Sequence, residues 1–303
     1  MFDRMSAGVA FGLFAVGLAL RDVLSELLFH EDWLCNVLVI CGTIAFASTC
    51  IIALHGSWRT LLRKLRAPGV VWRVIVLALS AVAIYGVTFY MINKLKMAAM
   101  FDLVDYGFAP ILTAIIGLTL FGESFQRNMV VAALLFIAGI ILMKYVAEQP
   151  SLVLKWFLIA LISPVVTAFS DALTKWLLTK GGLTREQLLF CRFAPATVIL
   201  FVYIALGPEQ RVHLNNPIGM FAFYLIFGLG PLYLLCTGLG KAALTKFAAY
   251  EAAIPALVYF GSLPWHPANR TPAMLLGAII IILSMLIAEG SILRKIRFPS
   301  TET

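Results

Sequence analysis

Charge is what this chain has least of. Only 13% of its 303 residues are charged, about half the ~25% of an ordinary soluble domain. With 62% hydrophobic residues and a mean hydropathy of +0.97, a soluble globule of this length could not hide its apolar side chains. That excludes a soluble enzyme, a secreted scaffold and a disordered chain. Cysteine is scarce too. Cys35, Cys41, Cys50, Cys191 and Cys236 are odd in number, all fall in apolar runs, and form no CxxC. They read as small buried hydrophobes, not as a disulfide framework. The four histidines (His30, His55, His213 and His266) lie near the ends of apolar runs or between them, without metal-ligand spacing. No GxxxxGK[ST] phosphate loop occurs. Nor is there the nucleophile–base pair or His/Asp cluster that an intramembrane enzyme would need. The expectation is a protein that is not an enzyme and takes no cofactor.

What the chain has is long apolar runs, about twenty residues each and continuous, which favour transmembrane helices over the ten-residue alternations of a barrel. Ten candidate spans cover roughly 5–28, 33–54, 71–92, 97–121, 128–146, 152–178, 185–206, 217–239, 244–263 and 272–290. The hydrocarbon core offers no backbone hydrogen bonds, so each run should be helical. The start, Met1–Arg4 and an apolar run, has the look of a signal peptide. The run reaches Arg21 and Asp22 without a cleavage site, so it reads as a retained first helix.

Net charge is +8. Most of the surplus sits in short loops, where it sets topology instead of binding nucleic acid. With both termini cytoplasmic, thirteen Lys and Arg fall inside, six outside and four within spans. The cluster Arg59, Arg63, Lys64 and Arg66 is then first a topological anchor, and second a site for anionic lipid.

An offset of 145 residues maps Pro110 onto Pro255, Lys96 onto Lys241, Ala98 onto Ala243, Met129 onto Met274 and Ala133 onto Ala278, and sets Glu26 opposite Asp171. Five spans are followed by five spans, with a proline in the fourth of each set. An odd number of spans per half makes the second half enter from the opposite side. The expected architecture is an all-α polytopic membrane protein of ten transmembrane helices in two inverted five-helix repeats, 1–148 and 149–303, the arrangement secondary transporters use for alternating access.

The stretch FDLVDYGFAPILTAIIGLTLFGESFQRNMVVAALLFIAGIIL (Phe101–Leu142) resembles the EamA domain of the drug/metabolite transporter superfamily, through Pro110, the turn pair Gly122–Glu123, and Gly139. In the second half Pro255 and Gly277 fit. Ala268 stands where the turn glutamate would be, among Pro264, Pro267 and Pro272. The segment SDALTKWLLTKGGLTREQLLFCRF (Ser170–Phe193) is also similar to the family, with a polar sixth span and Arg192 in the seventh. In the first half Ala47 takes the place of such an arginine, and the tryptophan–glycine pair of the first helix is missing. The resemblance implies small-molecule export or exchange across a bacterial inner membrane. It implies no particular substrate.

Ionisable groups in hydrocarbon are costly and usually face a cavity or a partner. The first span holds Arg21, Asp22 and Glu26, which suit an end-of-helix cluster near the outer surface. In the fourth, Asp102, Asp105 and Tyr106 share a face just before Pro110. In the ninth, Lys246, Tyr250 and Glu251 precede Pro255 in the same way, although Lys246 could also snorkel to the inner surface. Asp171 and Lys175, one turn apart in the sixth span, suit either an intrahelical pair or a lining of the path after Pro164. Arg192 could partner Asp171, bind a carbonyl, or bind substrate. Tyr85, Tyr90 and Tyr233 could stack on a planar substrate or simply pack. Gly228, Gly230 and Pro231 suggest a flexible point in the eighth span, with Gly86 at the position equivalent to Pro231. Pro110, Pro164, Pro231 and Pro255 are the expected helix breaks.

The expected function is a secondary carrier for small polar or amphipathic metabolites, with a central cavity between the halves, membrane lipid around it, and protons on Asp105 or Glu251 as a coupling ion. The rival is a flippase for lipid-linked substrates, with a basic headgroup pocket at Arg192 and Lys175.

Overall fold

A computed structural model describes residues 5–28, 33–91, 98–124, 127–146, 154–206, 216–264 and 271–288; the side chains of 26–27, 98–104, 106, 127, 144–146 and 154–160 lie outside that description. Every element is helical, and no strand occurs among the described residues. In chain order the helices are α1 (Ala7–Leu28), α2 (Trp33–Leu54), α3 (Trp58–Leu65), α4 (Val70–Phe89), α5 (Ala98–Leu120), α6 (Arg127–Val146), α7 (Leu154–Thr179), α8 (Arg185–Leu206), α9 (Pro217–Tyr224), α10 (Gly230–Leu239), α11 (Leu244–Glu251), α12 (Ile254–Ser262) and α13 (Pro272–Ala288). A π-helical turn, Leu225–Leu229, joins α9 to α10.

Each apolar run of the sequence forms one helix or an interrupted pair. Among the described residues, six helical stretches are long and apolar enough to cross a membrane: Ala7–Ser25, Trp33–Leu54, Val70–Phe89, Leu161–Thr179, Arg185–Leu206 and Pro217–Leu239. Their outward faces are apolar, with Leu54, Ile75, Val198, Phe201 and Ile218 among the exposed side chains. Several charged residues are buried inside instead. This is the reverse of a water-soluble protein and what a multi-pass membrane protein needs.

One element falls where the sequence suggested only a loop. α3 is short and amphipathic: Leu61 is buried and Trp58 and Leu65 pack on the core, while Arg59, Leu62, Arg63 and Arg66 face outward. Eight residues are too few to register as an apolar run, and the basic residues masked the three-to-four spacing of Trp58, Leu61 and Leu65.

The bundle is held by long helix pairings. α6 lies along α13, α2 along α8, and α5 along α11. α1 packs on α10 and α12, and α7 on α4 and α5. At the α6–α13 crossing two glycines meet. A Cβ on Gly139 would sit 2.8 Å from the Gly277 carbonyl oxygen, and one on Gly277 would sit 2.7 Å from the Gly139 carbonyl oxygen. Only residues without a side chain allow this approach.

The prolines divide into two kinds. Pro110 lies inside α5 and Pro164 inside α7, and neither helix is interrupted there. This corrects the expectation of breaks at both. A proline removes one i→i−4 bond, and α5 and α7, packed against each other, stay continuous across it. Pro231 and Pro255 do mark interruptions. The π-helical turn directly precedes Gly230–Pro231. α11 stops at Glu251, and α12 restarts at Ile254 with Pro255 in its first turn, where the missing N–H costs nothing.

Candidate functional site

Six ionisable side chains come together in the bundle interior. Arg21 and Asp22 come from α1, Asp105 from α5, Asp171 from α7, Arg192 from α8, and Glu251 from the interrupted end of α11. None is more than 6% exposed. Arg21 donates from Nε and from a terminal guanidinium nitrogen to Asp22 Oδ1, at 2.8 and 2.6 Å. Its guanidinium stands 5.7 Å from the centre of the buried Tyr85 ring. The pair is thus buried, not an end-of-helix cluster at a solvated surface. Arg192 lies in the field of Asp171 and 5.4 Å from the Phe193 ring centre. Asp105 interacts with Asp22, Arg21 and Asp171, and Glu251 with both Asp171 and Asp105.

The cluster holds four carboxyl groups against two guanidinium groups, and several of its atoms are unsatisfied. Asp105 Oδ1, Asp171 Oδ2, Glu251 Oε2 and Arg192 Nε make no hydrogen bond. The buried hydroxyls of Ser163 and Thr113 stand beside Asp105 and Glu251 respectively and are the polar side chains within reach of those carboxyls. Buried polar atoms are normally satisfied, so an unfilled set at one place marks either a site or a store of instability.

The structure separates other residues that the sequence had grouped. Lys175 turns away from Asp171 and pairs with Glu123, 5.0 Å from the centre of the Phe121 ring. Asp171 takes Arg192 as its neighbour instead. With Lys175 committed to Glu123, the Arg192–Lys175 headgroup pocket is not assembled. Tyr233 donates to Glu186 Oε1 at 2.5 Å, and the Arg185 guanidinium stands 4.9 Å from its ring centre. Tyr90 packs edge-on against Trp33. Tyr250 is buried 5.8 Å from the ring of Phe11, and Lys246 is half-buried in the first turn of α11. The side chains of Asp102, Tyr106 and Glu26 lie outside the described residues.

Side-chain hydrogen bonds join the earlier part of the chain to the α7–α8 and α10–α11 turns. Ala243, which precedes α11, is extended and offers no capping side chain. Glu123 supplies the cap from the α5–α6 turn: Oε1 accepts from Leu244 N at 2.7 Å and Oε2 from Thr245 N at 2.8 Å. Burial alone would raise the pKa of this carboxyl. The Lys175 ammonium and the Thr245 and Leu244 amides outweigh it and hold the pKa below its usual 4.5. Lys64 on α3 donates to Gly182 O and, at 3.2 Å, to Gln187 Oε1, while Trp58 packs edge-on against Phe190 at 5.0 Å. Lys241 donates to Met5 O at 3.0 Å. Glu123 stood in the sequence only as a turn marker; nothing local signals a partner more than a hundred residues away.

Two grooves lie elsewhere. One of about 380 Å³ is lined by Trp33, Leu34, Gly86, Tyr90, Leu200 and Tyr203 among others, and one of about 280 Å³ by residues including Pro110, Phe136, Thr245, Ala248 and Met285. None of the buried acids lines either. No three His, Cys, Asp or Glu side chains among the described residues converge as ligands for a metal ion.

Comparison with known proteins supports the fold. No family model and no curated protein matches the chain. A solved structure titled only "Crystal structure of protein" superposes with a TM-score of 0.70 at 18% identity, covering 96% of this chain and 98% of that one. At that identity the likeness is one of helix arrangement alone.

Proposed function

We propose that the chain is a secondary carrier for small polar or amphipathic metabolites, built as ten spans in two inverted five-helix repeats with both termini cytoplasmic, of the EamA type in a bacterial inner membrane. The observation that carries this reading is the buried cluster of Arg21, Asp22, Asp105, Asp171, Arg192 and Glu251, to which both halves contribute. A structural ion pair needs two groups; four acids on four helices at the junction of two halves suit a site that opens to each side in turn.

The pairings support the repeat. The 145-residue offset turns α1 on α10 into α7 on α4, and α1 on α12 into α7 on α5; α2 with α8, α5 with α11, and α6 with α13 each pair a span with its own equivalent. The links through Glu123, Lys64 and Lys241 then close the cytoplasmic end, and the centre is an occluded stage of the cycle. Asp105 or Glu251 carries the coupling proton.

Differential metabolite profiling of medium from overexpressing cells, followed by flux of the enriched solutes in proteoliposomes, tests the reading. Export lowered in Asp105→Asn and Glu251→Gln is the expected result; unchanged export in both removes these residues from the path. The flippase reading has the apolar groove at Trp33, Tyr90 and Tyr203 in its favour, and a lipid-scrambling assay separates the two.

A further inference from the structure

α3 divides the four basic residues that lie together in the sequence. Lys64 turns inward and is used within the protein, donating to Gly182 O and Gln187 Oε1. Arg59, Arg63 and Arg66 are exposed, and so is Leu62. Positions 59, 62, 63 and 66 are three and four apart, so these four side chains form one outward stripe along the helix. Among the described residues no carboxylate pairs with any of the three arginines. Like charges one turn apart repel, and an apolar side chain set among them is left to water. The protein supplies neither the counter-charge nor the apolar cover.

The place of the stripe in the fold says what does. Two membrane-length helices enclose α3: α2 ends at Leu54 and α4 begins at Val70, three residues before it and four residues after it. Connections that short reach about 10–14 Å even when fully extended, so α3 stays at the boundary between water and lipid. The flanks agree. Leu54 is 85% exposed, and exposed Trp72 has the Arg73 guanidinium 4.7 Å from its ring centre, the amphipathic pairing of a membrane interface.

We infer that α3 is a docking strip for anionic phospholipid in the leaflet it borders: Arg59, Arg63 and Arg66 take the headgroup phosphates, and Leu62 enters the upper acyl region. A guanidinium grips a phosphate through paired N–H donors. Three of them on one stripe favour an anionic headgroup over a zwitterionic one, which brings its own cation. The opposite face of α3 carries the effect inward. Besides the Lys64 bonds, Gln187 Nε2 donates to Ser57 O at 3.2 Å, and Trp58 packs edge-on against Phe190. Lipid that steadies α3 therefore steadies the α7–α8 turn, whatever solute the bundle carries.

The test is hydrogen–deuterium exchange on the full chain in two kinds of nanodisc. One is phosphatidylcholine alone, the other phosphatidylcholine and phosphatidylglycerol in equal parts. Each rate is divided by that of Arg59→Gln/Arg63→Gln/Arg66→Gln in the same lipid, which removes the effect of surface charge on exchange itself. A basic side chain at an anionic surface is worth about a fivefold preference. The parent should therefore exchange at least about fivefold more slowly than the variant across 58–66 in phosphatidylglycerol, with slowing across 180–187 in parallel, and within about twofold of it in phosphatidylcholine. Arg59→Lys/Arg63→Lys/Arg66→Lys keeps the charge and should keep most of the slowing. Lys64→Met should keep it over 58–66 and weaken it over 180–187. The same parent-to-variant ratio in both lipids overturns the proposal. So does slowing that soluble glycerol 3-phosphate reproduces in phosphatidylcholine alone, which would make the strip a free-phosphate site. Slowing over 58–66 alone overturns the link to the α7–α8 turn.

Discussion

Replacing Glu123 with alanine strips the cap from α11 and the counter-ion from Lys175 in one step. Helix N-cap deletions at a wet surface cost about 0.5–2 kcal/mol, because water stands in for the lost acceptor. Here water has little access: Leu244 is fully buried and Thr245 is 8% exposed. The charge-assisted bonds at 2.7 and 2.8 Å place the loss at the upper end, about 2–3 kcal/mol for opening the first turn of α11. At about 1.4 kcal/mol per factor of ten, amide exchange at Leu244 and Thr245 should accelerate about 30- to 150-fold, while helices remote from this end, such as the middle of α2, stay unchanged. Hydrogen–deuterium exchange on the peptide spanning these residues reads this directly. Glu123→Gln should fall between the two, since it keeps one acceptor oxygen and loses the charge. Exchange within twofold of the parent in Glu123→Ala would refute the cap. The pH dependence has a fixed sign. The folded pKa lies below 4.5, so this carboxyl's contribution is complete above that value and is lost as pH falls through the lower, folded one. Protection at Leu244 and Thr245 should therefore hold from pH 7 to 5 and fade only in stronger acid.

Other consequences follow from the packing. Gly139→Ala or Gly277→Ala places a methyl within 3 Å of a facing carbonyl oxygen, and either should lower the detergent melting temperature by the equivalent of about 1–3 kcal/mol; the two together should cost less than their sum, since they relieve the same contact. Tyr224 donates to Asn36 Oδ1 at 2.9 Å where both residues are fully buried, so Tyr224→Phe should destabilise by about 1–2 kcal/mol in the same assay. Lys64→Met removes the donor that ties α3 to Gly182 and Gln187, and limited trypsin digestion should then cut faster at Arg59, Arg63 and Arg66.

The sequence carried the helices further than the contacts. Backbone groups in hydrocarbon have no partner but one another, so run length alone located α1, α2, α4 and α8 to within a few residues. It also located the two buried acids beside the proline of α12 and inside α5, since a charge in an apolar run stands out. Side-chain partnership is not local. Lys175 has an acid one turn behind it and uses one 52 positions earlier. Asp171 and Arg192 come from successive helices, and their proximity depends on how α7 and α8 sit in the finished bundle. Proline likewise marks a possible break, and packing decides which become real: Pro255 opens α12, whereas Pro110 is carried within α5. The α3 helix escaped because its apolar face needs a protein surface, supplied by Phe190 and Gln187, to become visible.

The most direct test of the proposed alternating access is the distance across the end where Glu123 caps α11. Spin labels at Thr60 and Lys180, both exposed and in different halves, in a Cys50→Ala background, report it by pulsed electron resonance in nanodiscs. The account predicts two distance populations whose ratio shifts between pH 5 and 8 and moves toward the longer distance in Glu123→Ala. A single narrow distance, unchanged by pH and by the substitution, would contradict it.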